Sequence, residues 1–245
     1  MHHFFVKPTA IVDGQVTITG QDVRHITRSL RLDSGDKISV ADGEGKKYIV
    51  ELVELTDQFV KGKVRQDFVA TVEPATKVTL LQGLPKSKKM DLIAQKTTEL
   101  GIDQIIPVET ERSIVKLKPS KAKRRQKRWQ KIAKEAAKQS GRAKIPEVKE
   151  LLDFEEAIAL ATDYDLALMP WEEESASLKD VIVGNNKMEQ VMIVIGPEGG
   201  FSEQEVERAN EVGIKPVSLG PRILRTETAG LATLSMLLYQ TGDLG

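Results

Sequence analysis

The chain has 245 residues, of which 40% are hydrophobic and 29% are charged. This length suits one large domain or two modest ones, and the composition is ordinary for a globular protein. There are no cysteines and only three histidines, which excludes disulfides, thiolate nucleophiles and cysteine-ligated zinc and leaves no convincing metal site. No apolar run approaches the length of a transmembrane helix, and the N-terminus is too short and too polar for a signal peptide. We therefore expect a cytoplasmic protein without a metal or a membrane partner.

The formal net charge is zero, but the charges are distributed unevenly along the chain. Residues 112–149 contain 15 lysines and arginines against two acidic residues, whereas residues 150–245 contain 18 acidic residues against six basic ones. The strong excess of basic residues in section 112–149 favours contact with a polyanion, most simply a nucleic acid. The alternative is a solvated helix face. The candidate RNA contacts in this section are Lys123, Arg124 and Arg125.

Residues 1–72 are predicted to form a small β-rich domain. Short strand-like runs separated by Asp-Gly and similar turn signals are typical of a barrel. One helix, from about Asp22 to Leu30, interrupts the strands, and Arg24, Arg28 and Arg31 cluster on it or just after it. Their guanidinium groups either contact phosphate or cover a solvated helix surface. The predicted strands are residues 4–6, 15–18, 37–40, 47–52 and 59–64, and residues 66–76 are a predicted linker.

Residues 73–245 are predicted to form a second, α/β domain. It opens with a buried strand at 77–82, a helix at 88–100 that Ser87 caps, and a strand at 104–108, an order that indicates a parallel sheet. Three lysines stand where the first strand ends and the helix begins, which is the functional edge of such a sheet. They either contact RNA phosphate or form a solubilising loop. These candidate contacts are Lys86, Lys88 and Lys89.

The middle of the second domain carries fewer chemical signals. Trp129 falls in the apolar stripe of a long helix and is expected in the core, whereas residues 172–174 are expected in a solvated loop. Arg142 follows Gly141 at the end of that helix, so we expect it to contact substrate rather than core. The predicted elements here are helices at 121–139 and 154–160, a strand at 165–171 and a turn at 184–186.

The most informative stretch runs from residue 190 to residue 240. An apolar strand leads into a loop with three glycines in five residues, and Ser202 with Glu205 forms a capping-box pattern. Two glycine-bearing loops at the carboxyl ends of strands mark the ligand crevice of an α/β sheet. Neither loop has a P-loop or dinucleotide fingerprint, and the first one alone is equally compatible with a tight turn. The predicted elements are strands at 191–195 and 216–219, helices at 203–211 and 231–239, and the second loop at 220–230.

The two loops together carry a specific resemblance. Ile-Gly-Pro-Glu-Gly-Gly-Phe-Ser at 195–202 and Leu-Gly-Pro-Arg-Ile-Leu-Arg-Thr-Glu-Thr-Ala at 219–229 resemble the SPOUT-class methyltransferases, and within that class the 16S rRNA uridine N3-methyltransferase family. The likeness covers nearly the whole chain, including residues 98–101 and 134–142. It implies an α/β fold in which a C-terminal SPOUT-type trefoil-knot methyltransferase domain follows an N-terminal PUA-like β-barrel domain that docks RNA. It also implies a homodimer.

The resemblance further implies an S-adenosyl-L-methionine site built from the two loops and from the end of the strand at 165–171. For the transfer itself, Arg225 is the candidate that stabilises negative charge on the uracil ring, with Arg222 as the second choice. Glu227 and Glu198 are candidates for the base, or for attraction of the cofactor's sulfonium by charge. Glu227 could instead cap the final helix, with Thr226 or Thr228. The candidate cofactor-binding residues are Met169, Pro170, Trp171, Ile195, Gly196, Pro197, Glu198, Gly199, Gly200, Leu219, Gly220, Ile223, Leu224, Arg225, Thr228 and Ala229.

The sequence therefore predicts methylation of N3 of a uridine in 16S rRNA, with S-adenosyl-L-methionine as methyl donor and the small ribosomal subunit as partner. Two alternatives stay open at this point. One is a non-enzymatic RNA-binding or ribosome-assembly factor with the same fold, and the other is a SPOUT methyltransferase that acts on transfer RNA. The assembly factor need not bind the cofactor, whereas either enzyme must.

Overall fold

The computed structural model describes residues 1–183 and 188–245. The chain forms two compact units, one of residues 1–73 with 137–145 and the other of residues 74–136 with 146–245. The domain ranges predicted from sequence, 1–72 and 73–245, do not include the segment 137–145 in the first unit. The predicted turn at 184–186 lies outside the described residues.

The first unit is built on a six-stranded sheet with the order β1-β4-β5-β6-β3-β2. β1 pairs with β4 in parallel, and the other pairings are antiparallel. The predicted linker is wrong for residues 66–69, because they continue β6 and pair with β5. Phe4, Ile38 and Leu52 lie at the centre of the core of this unit. The strands are β1 (His3–Phe5), β2 (Ile11–Val12), β3 (Gln15–Thr19), β4 (Lys37–Ala41), β5 (Lys46–Leu55) and β6 (Phe59–Val69).

The predicted helix of the first unit is short and irregular. α1 covers only Gln21–Arg24 and continues as a π-helical turn at His25–Ser29. The hydroxyl of Thr27 donates to the Val23 carbonyl at 2.9 Å, while the amide of Leu30 donates to the His25 carbonyl, five residues back. The wider turn still buries Ile26 in the core of the unit.

Segment 137–145 packs inside the first unit around Arg142. This side chain is 4% exposed, and its Nη2 lies 2.7 Å from the Glu73 carboxylate. Glu73 also accepts the backbone amides of Ala143 and Lys144. Burial acts to raise the pKa of Glu73, but the Arg142 guanidinium and these amides hold it below its ordinary value. The sequence placed Arg142 at the substrate; the structure makes it a buried ion-pair partner, because the positive φ of Gly141 turns the chain back into the unit.

The second unit is built on a seven-stranded sheet in which every pairing is parallel, as predicted. Its order is β10-β8-β7-β12-β11-β13, with β9 also pairing with β8. β12 lies near the middle and is apolar on both faces, which is why it appears in the sequence as a continuous apolar run. The strands are β7 (Lys77–Gly83), β8 (Gln104–Glu109), β9 (Glu147–Val148), β10 (Leu152–Asp153), β11 (Leu166–Pro170), β12 (Gln190–Ile195) and β13 (Lys215–Val217).

Helices cover both faces of this sheet. Alternate residues of β12 point to opposite sides: Ile193 packs in a core with Trp129, and Met192 packs in a second core with Val206. Trp129 is therefore a core residue, as predicted. None of the helices in the described ranges is long and apolar enough to span a bilayer. The helices are α2 (Lys89–Leu100), α3 (Pro119–Gln139), α4 (Phe154–Ile158), α5 (Leu178–Val183), α6 (Glu203–Glu211) and α7 (Thr226–Gln240).

Two helix starts differ from the prediction. Ser87 does not cap α2, because it adopts a φ of 57° and Lys88 occupies the cap position. α7 begins at Thr226 rather than at Leu231, since the carbonyl of Arg225 already accepts the amides of Thr228 and Ala229. Half of the predicted second loop is therefore the first turn of a helix. α5 was not predicted.

Candidate functional site

Two adjoining cavities lie at the carboxyl ends of β11 and β12. The larger has a volume of about 520 Å³ and the smaller about 310 Å³. Both fall in the size range of small-molecule sites. Their shared wall consists of Pro170, Glu172, Ile223, Leu224 and Ala229. The crevice predicted at this edge of the sheet is thus present.

The first glycine-bearing loop, residues 196–202, needs glycine for close backbone packing. A Cβ on Gly83 would lie 2.7 Å from Cδ and 2.8 Å from N of Pro197. A Cβ on Gly196 would lie 3.1 Å from the carbonyl carbon of Gly200. The neighbouring atoms belong to backbone or to a proline ring, so they cannot move aside cheaply. These glycines let the end of β7 and the loop after β12 pack directly against each other.

The loop after β8 supports the first glycine-bearing loop. Ser202 and Glu205 form the predicted capping box, which starts α6. The same Glu205 carboxylate accepts the amide of Glu111 at 2.8 Å, and the Ser202 hydroxyl donates to Glu111 at 2.7 Å. Arg112 donates from Nη1 to the carbonyl of Gly199 at 3.1 Å. These bonds connect the first glycine-bearing loop to the segment that follows β8.

Thr226 joins the two predicted loops. Its hydroxyl donates to the carbonyl of Gly196 at 2.6 Å and accepts from Nε2 of Gln82 at 2.9 Å. Gln82 is fully buried and also donates to the carbonyl of Gly83 at 3.0 Å. The ends of β7 and β12 and the start of α7 are therefore connected through one hydroxyl group.

A charged cluster stands beside the smaller cavity. Lys89 Nζ lies 3.0 Å from Glu198 Oε1 and 3.1 Å from Glu227 Oε2. The Glu198 carboxylate, together with Glu227, raises the pKa of Lys89. Burial acts to raise the pKa of each glutamate, but hydrogen bonds from their own backbone amides and from Lys89 hold both below the ordinary value. At neutral pH all three groups are therefore charged.

Most of the predicted cofactor-binding residues line these two cavities. Met169 does not, because its side chain is fully buried in the core on the other face of the sheet. Gly199 and Thr228 also line neither cavity, and nor does Glu227. The lining residues from the predicted set are Pro170, Trp171, Leu219, Gly220, Ile223, Leu224 and Ala229 around the larger cavity, and Ile195, Gly196, Pro197, Glu198, Gly200 and Arg225 around the smaller.

Some residues of the site have contacts that the sequence did not indicate. Glu172, expected in a solvated loop, lines both cavities. Lys89, expected to contact RNA, is held between two carboxylates. Gln82 gave one usable signal, since it is a polar residue at the end of an otherwise apolar strand. Thr226 gave none, because threonine at a helix start is usually a cap.

The remaining predicted RNA contacts are solvent-accessible. Arg24, Arg28 and Arg31 are exposed on the first unit, where Arg28 pairs with Asp57, which is also exposed, at 3.3 Å. On the second unit, Lys86 and Lys88 are exposed and precede Lys89, the central residue of the charged cluster beside the smaller cavity. Lys123 and Arg124 are exposed on α3, and Arg125 is half-buried. Within the described ranges there is no group of three or more His, Asp or Glu side chains suited to a metal ion.

Comparison with known proteins decides the family. A family model for the RNA methyltransferase domain matches residues 72–238. The chain belongs to the RNA methyltransferase family. A model for the RNA methyltransferase PUA domain also matches residues 18–65. The expected fold class, a SPOUT-type α/β methyltransferase domain after an N-terminal PUA-like domain, is thereby confirmed; the trefoil knot stays a prediction of the resemblance.

Individual RNA methyltransferases are similar over nearly the full chain. The ribosomal RNA small subunit methyltransferase E of Bacillus subtilis (strain 168) is 40% identical over 230 residues, covering 92% of this chain and 90% of that protein. The protein of the same name from Synechocystis is 35% identical over 96% of this chain and 77% of its own length. The crystal structure of the Neisseria gonorrhoeae protein of that name, bound to S-adenosyl methionine, superposes with a TM-score of 0.88 at 32% identity, covering 98% and 97% of the two chains. A Legionella pneumophila putative methyltransferase with bound cofactor SAM gives 0.86 at 28% identity, covering 97% and 96%.

The Thr226 connection leads to a test. Thr226→Val keeps the shape of the side chain but deprives the half-buried Gly196 carbonyl and the buried Gln82 amide of a partner, so we expect the free energy of unfolding to fall by about 1–3 kcal/mol. Thr233→Val on the same helix is the matched control, because the Thr233 hydroxyl donates at 2.8 Å to Ala229 within its own helix and joins no second element. Urea unfolding measures both variants. Equal losses would contradict a connecting role for Thr226.

Proposed function

We propose that this protein uses S-adenosyl-L-methionine to methylate N3 of a uridine in 16S rRNA. Similarity to the ribosomal RNA small subunit methyltransferase E proteins supports methylation of small-subunit rRNA. The observation that carries the proposal is the meeting of the two glycine-bearing loops around adjoining cavities, with Thr226 bonded to both sides. The choice of uridine N3 rests on the resemblance of residues 195–202 and 219–229 to the corresponding family.

The residues around the cavities fit the cofactor. An adenosine body needs apolar walls and close backbone groups, which Ile223, Leu224 and the glycines of both loops provide. A cationic methionine end needs nearby carboxylates, and Glu172 lines both cavities. When bound, S-adenosyl-L-methionine supplies an electrophilic methyl group. The residues that would hold it are the lining residues of the two cavities, including Pro170 and Leu219.

Arg225 is the residue best placed to assist the transfer. Uridine N3 must lose its proton, which solvent water accepts, and the resulting negative charge spreads to the ring oxygens until N3 bonds to the methyl group. The side chain of Arg225 is exposed and lines the smaller cavity, at the N-terminus of α7 where the helix dipole is also positive. A guanidinium at this position would stabilise the anion as it forms. Positioning of the reactants by the residues of the site would contribute further to the rate.

Glu227 is poorly suited to act as the base. A general base works best when its pKa lies near the working pH, and the pKa of Glu227 is held below its ordinary value. Its carboxylate is also occupied by Lys89. We therefore assign the catalytic contribution to Arg225 and a structural one to Glu227.

The activity can be tested directly. Small-subunit rRNA from a strain that lacks the gene, incubated with the protein and S-adenosyl-L-methionine, should yield 3-methyluridine by nucleoside mass spectrometry. Modification of transfer RNA only would support the transfer RNA alternative. Failure to bind the cofactor in calorimetry would support an assembly factor.

The same assay tests Arg225. Arg225→Met should lower kcat by about 10²–10³, the usual cost of removing one donor to a developing negative charge. Arg222→Met is the matched control, because Arg222 lines only the larger cavity, and it should change kcat much less. The reverse order of effects would move the catalytic role to Arg222.

RNA binding should depend on the basic section. We propose phosphate contacts by the exposed basic groups of α3, by Lys86 and Lys88, and by the three arginines of the first unit. Replacing Lys123, Arg124 and Arg125 with alanine should reduce the slope of log affinity against log salt by about 2 units, since each phosphate contact releases counterions. Lys179→Ala with Lys215→Ala, outside the basic section, should leave the slope unchanged. An unaltered slope in the triple variant would locate the RNA surface elsewhere.

We further propose a cytoplasmic homodimer. The cytoplasmic location follows from the ribosomal substrate. The dimer follows from the resemblance, and α7 offers apolar surface for it, since Met236 is 42% and Tyr239 71% exposed in a single chain. Sedimentation equilibrium should give twice the mass of the chain; the monomer mass at micromolar concentration would rule out an obligate dimer.

A further inference from the structure

Lys89 touches both halves of the site at once. It is the first residue of α2 and lines the smaller cavity. One of its carboxylate partners, Glu198, belongs to the first glycine-bearing loop, and the other, Glu227, is the second residue of α7, directly after the second loop. A single ammonium group therefore bridges the two segments that enclose the cavities.

The surroundings of this bridge make it stronger than a surface ion pair. The side chains of Lys89, Glu198 and Glu227 are 27%, 26% and 17% exposed, whereas the exposed pair Arg28–Asp57 has values of 68% and 86%. Partly buried charges are screened less by water and salt. Glu198 is held from a second direction by the amide of Lys86 at 3.1 Å, so the carboxylate has little freedom to turn away.

Loss of the ammonium would have a specific consequence. One carboxylate oxygen of each glutamate lies within 3.1 Å of the same nitrogen, so without it two ionised carboxylates would stand close together with no cation between them. Like charges at such separations repel, and a charge that is left partly buried without its partner is costly. The expected response is separation of the first loop from the start of α7.

We propose that Lys89 is a positioning residue, which sets the spacing of the two cofactor loops by bridging Glu198 and Glu227. The inference rests on the proposed function, because it assumes that the loops hold S-adenosyl-L-methionine. It replaces the RNA contact that the sequence suggested for Lys89. The two roles differ in what they affect: a positioning residue alters cofactor affinity without RNA present, and an RNA contact does not.

The test is calorimetric binding of S-adenosyl-L-methionine to the full protein in the absence of RNA. Lys89→Met should raise the cofactor Kd about tenfold, which corresponds to the coupling energy usual for contacting charged residues. Lys89→Arg keeps the cation and should stay within about threefold of the wild type. Lys96→Met is the matched control, because it removes an ammonium and its ion pair with Glu99 from the same helix, and it should leave the Kd unchanged.

A double-mutant cycle tests whether Lys89 acts through Glu227. Glu227→Gln should also weaken cofactor binding, and adding Lys89→Met to it should change the Kd by less than about twofold further. Thermal unfolding followed by circular dichroism checks that each variant is folded. Should Lys89→Met not fold, Lys89→Gln removes the charge while keeping a donor and gives the same readout.

The outcomes separate this inference from the proposed function. If the wild type does not bind the cofactor, the proposed function fails and the inference with it. If the wild type binds but Lys89→Met binds equally well, or if the two substitutions act independently, the inference alone is overturned. If Lys89→Met has an unchanged cofactor Kd and a raised KM for RNA, the positioning role is wrong and Lys89 contacts RNA instead.

Discussion

The site depends on one buried hydroxyl group. Thr226 accepts from Gln82 and donates to Gly196, so one hydroxyl links the end of β7, the loop after β12 and the first turn of α7. Gln82 is fully buried, so water cannot replace Thr226 as the partner of its amide. Both cavities lie beside this connection and share a wall at Ile223 and Leu224, on the segment that leads into Thr226. The shape of the site is therefore set by hydrogen bonding within the protein.

Much of the fold was predictable because its signals are local. The parallel strand 191–195, the capping box at Ser202 and the buried Trp129 follow from apolar runs, cap chemistry and helical spacing. The α7 start was missed because the loop residues before it have no helical periodicity, and their helical state depends on contacts with Gln82 and Gly196. Local patterns cannot report a bond between residues more than 100 positions apart.

The charged residues show more clearly that local sequence patterns do not report long-range contacts. Lys86, Lys88 and Lys89 look equivalent in the sequence, yet only Lys89 falls on the side of α2 that faces two glutamates. Arg142 looks like an exposed residue after a helix and is instead paired with Glu73, 69 positions earlier. For charged side chains, the residue type indicates which chemistry is available, and the tertiary partner decides whether that chemistry is directed to a ligand or used inside the protein.

The pairing of Arg142 with Glu73 bears on how the protein divides into transferable parts. The first unit is discontinuous in sequence, because more than sixty residues of the second unit separate its two segments, 1–73 and 137–145. A fragment cut after residue 73 would expose the Glu73 carboxylate without its guanidinium and would lose the carbonyl that His3 contacts. The first unit is therefore not a domain that can be excised or grafted as one continuous piece. Recombination within such proteins should preserve the end of α3 together with the N-terminal strands.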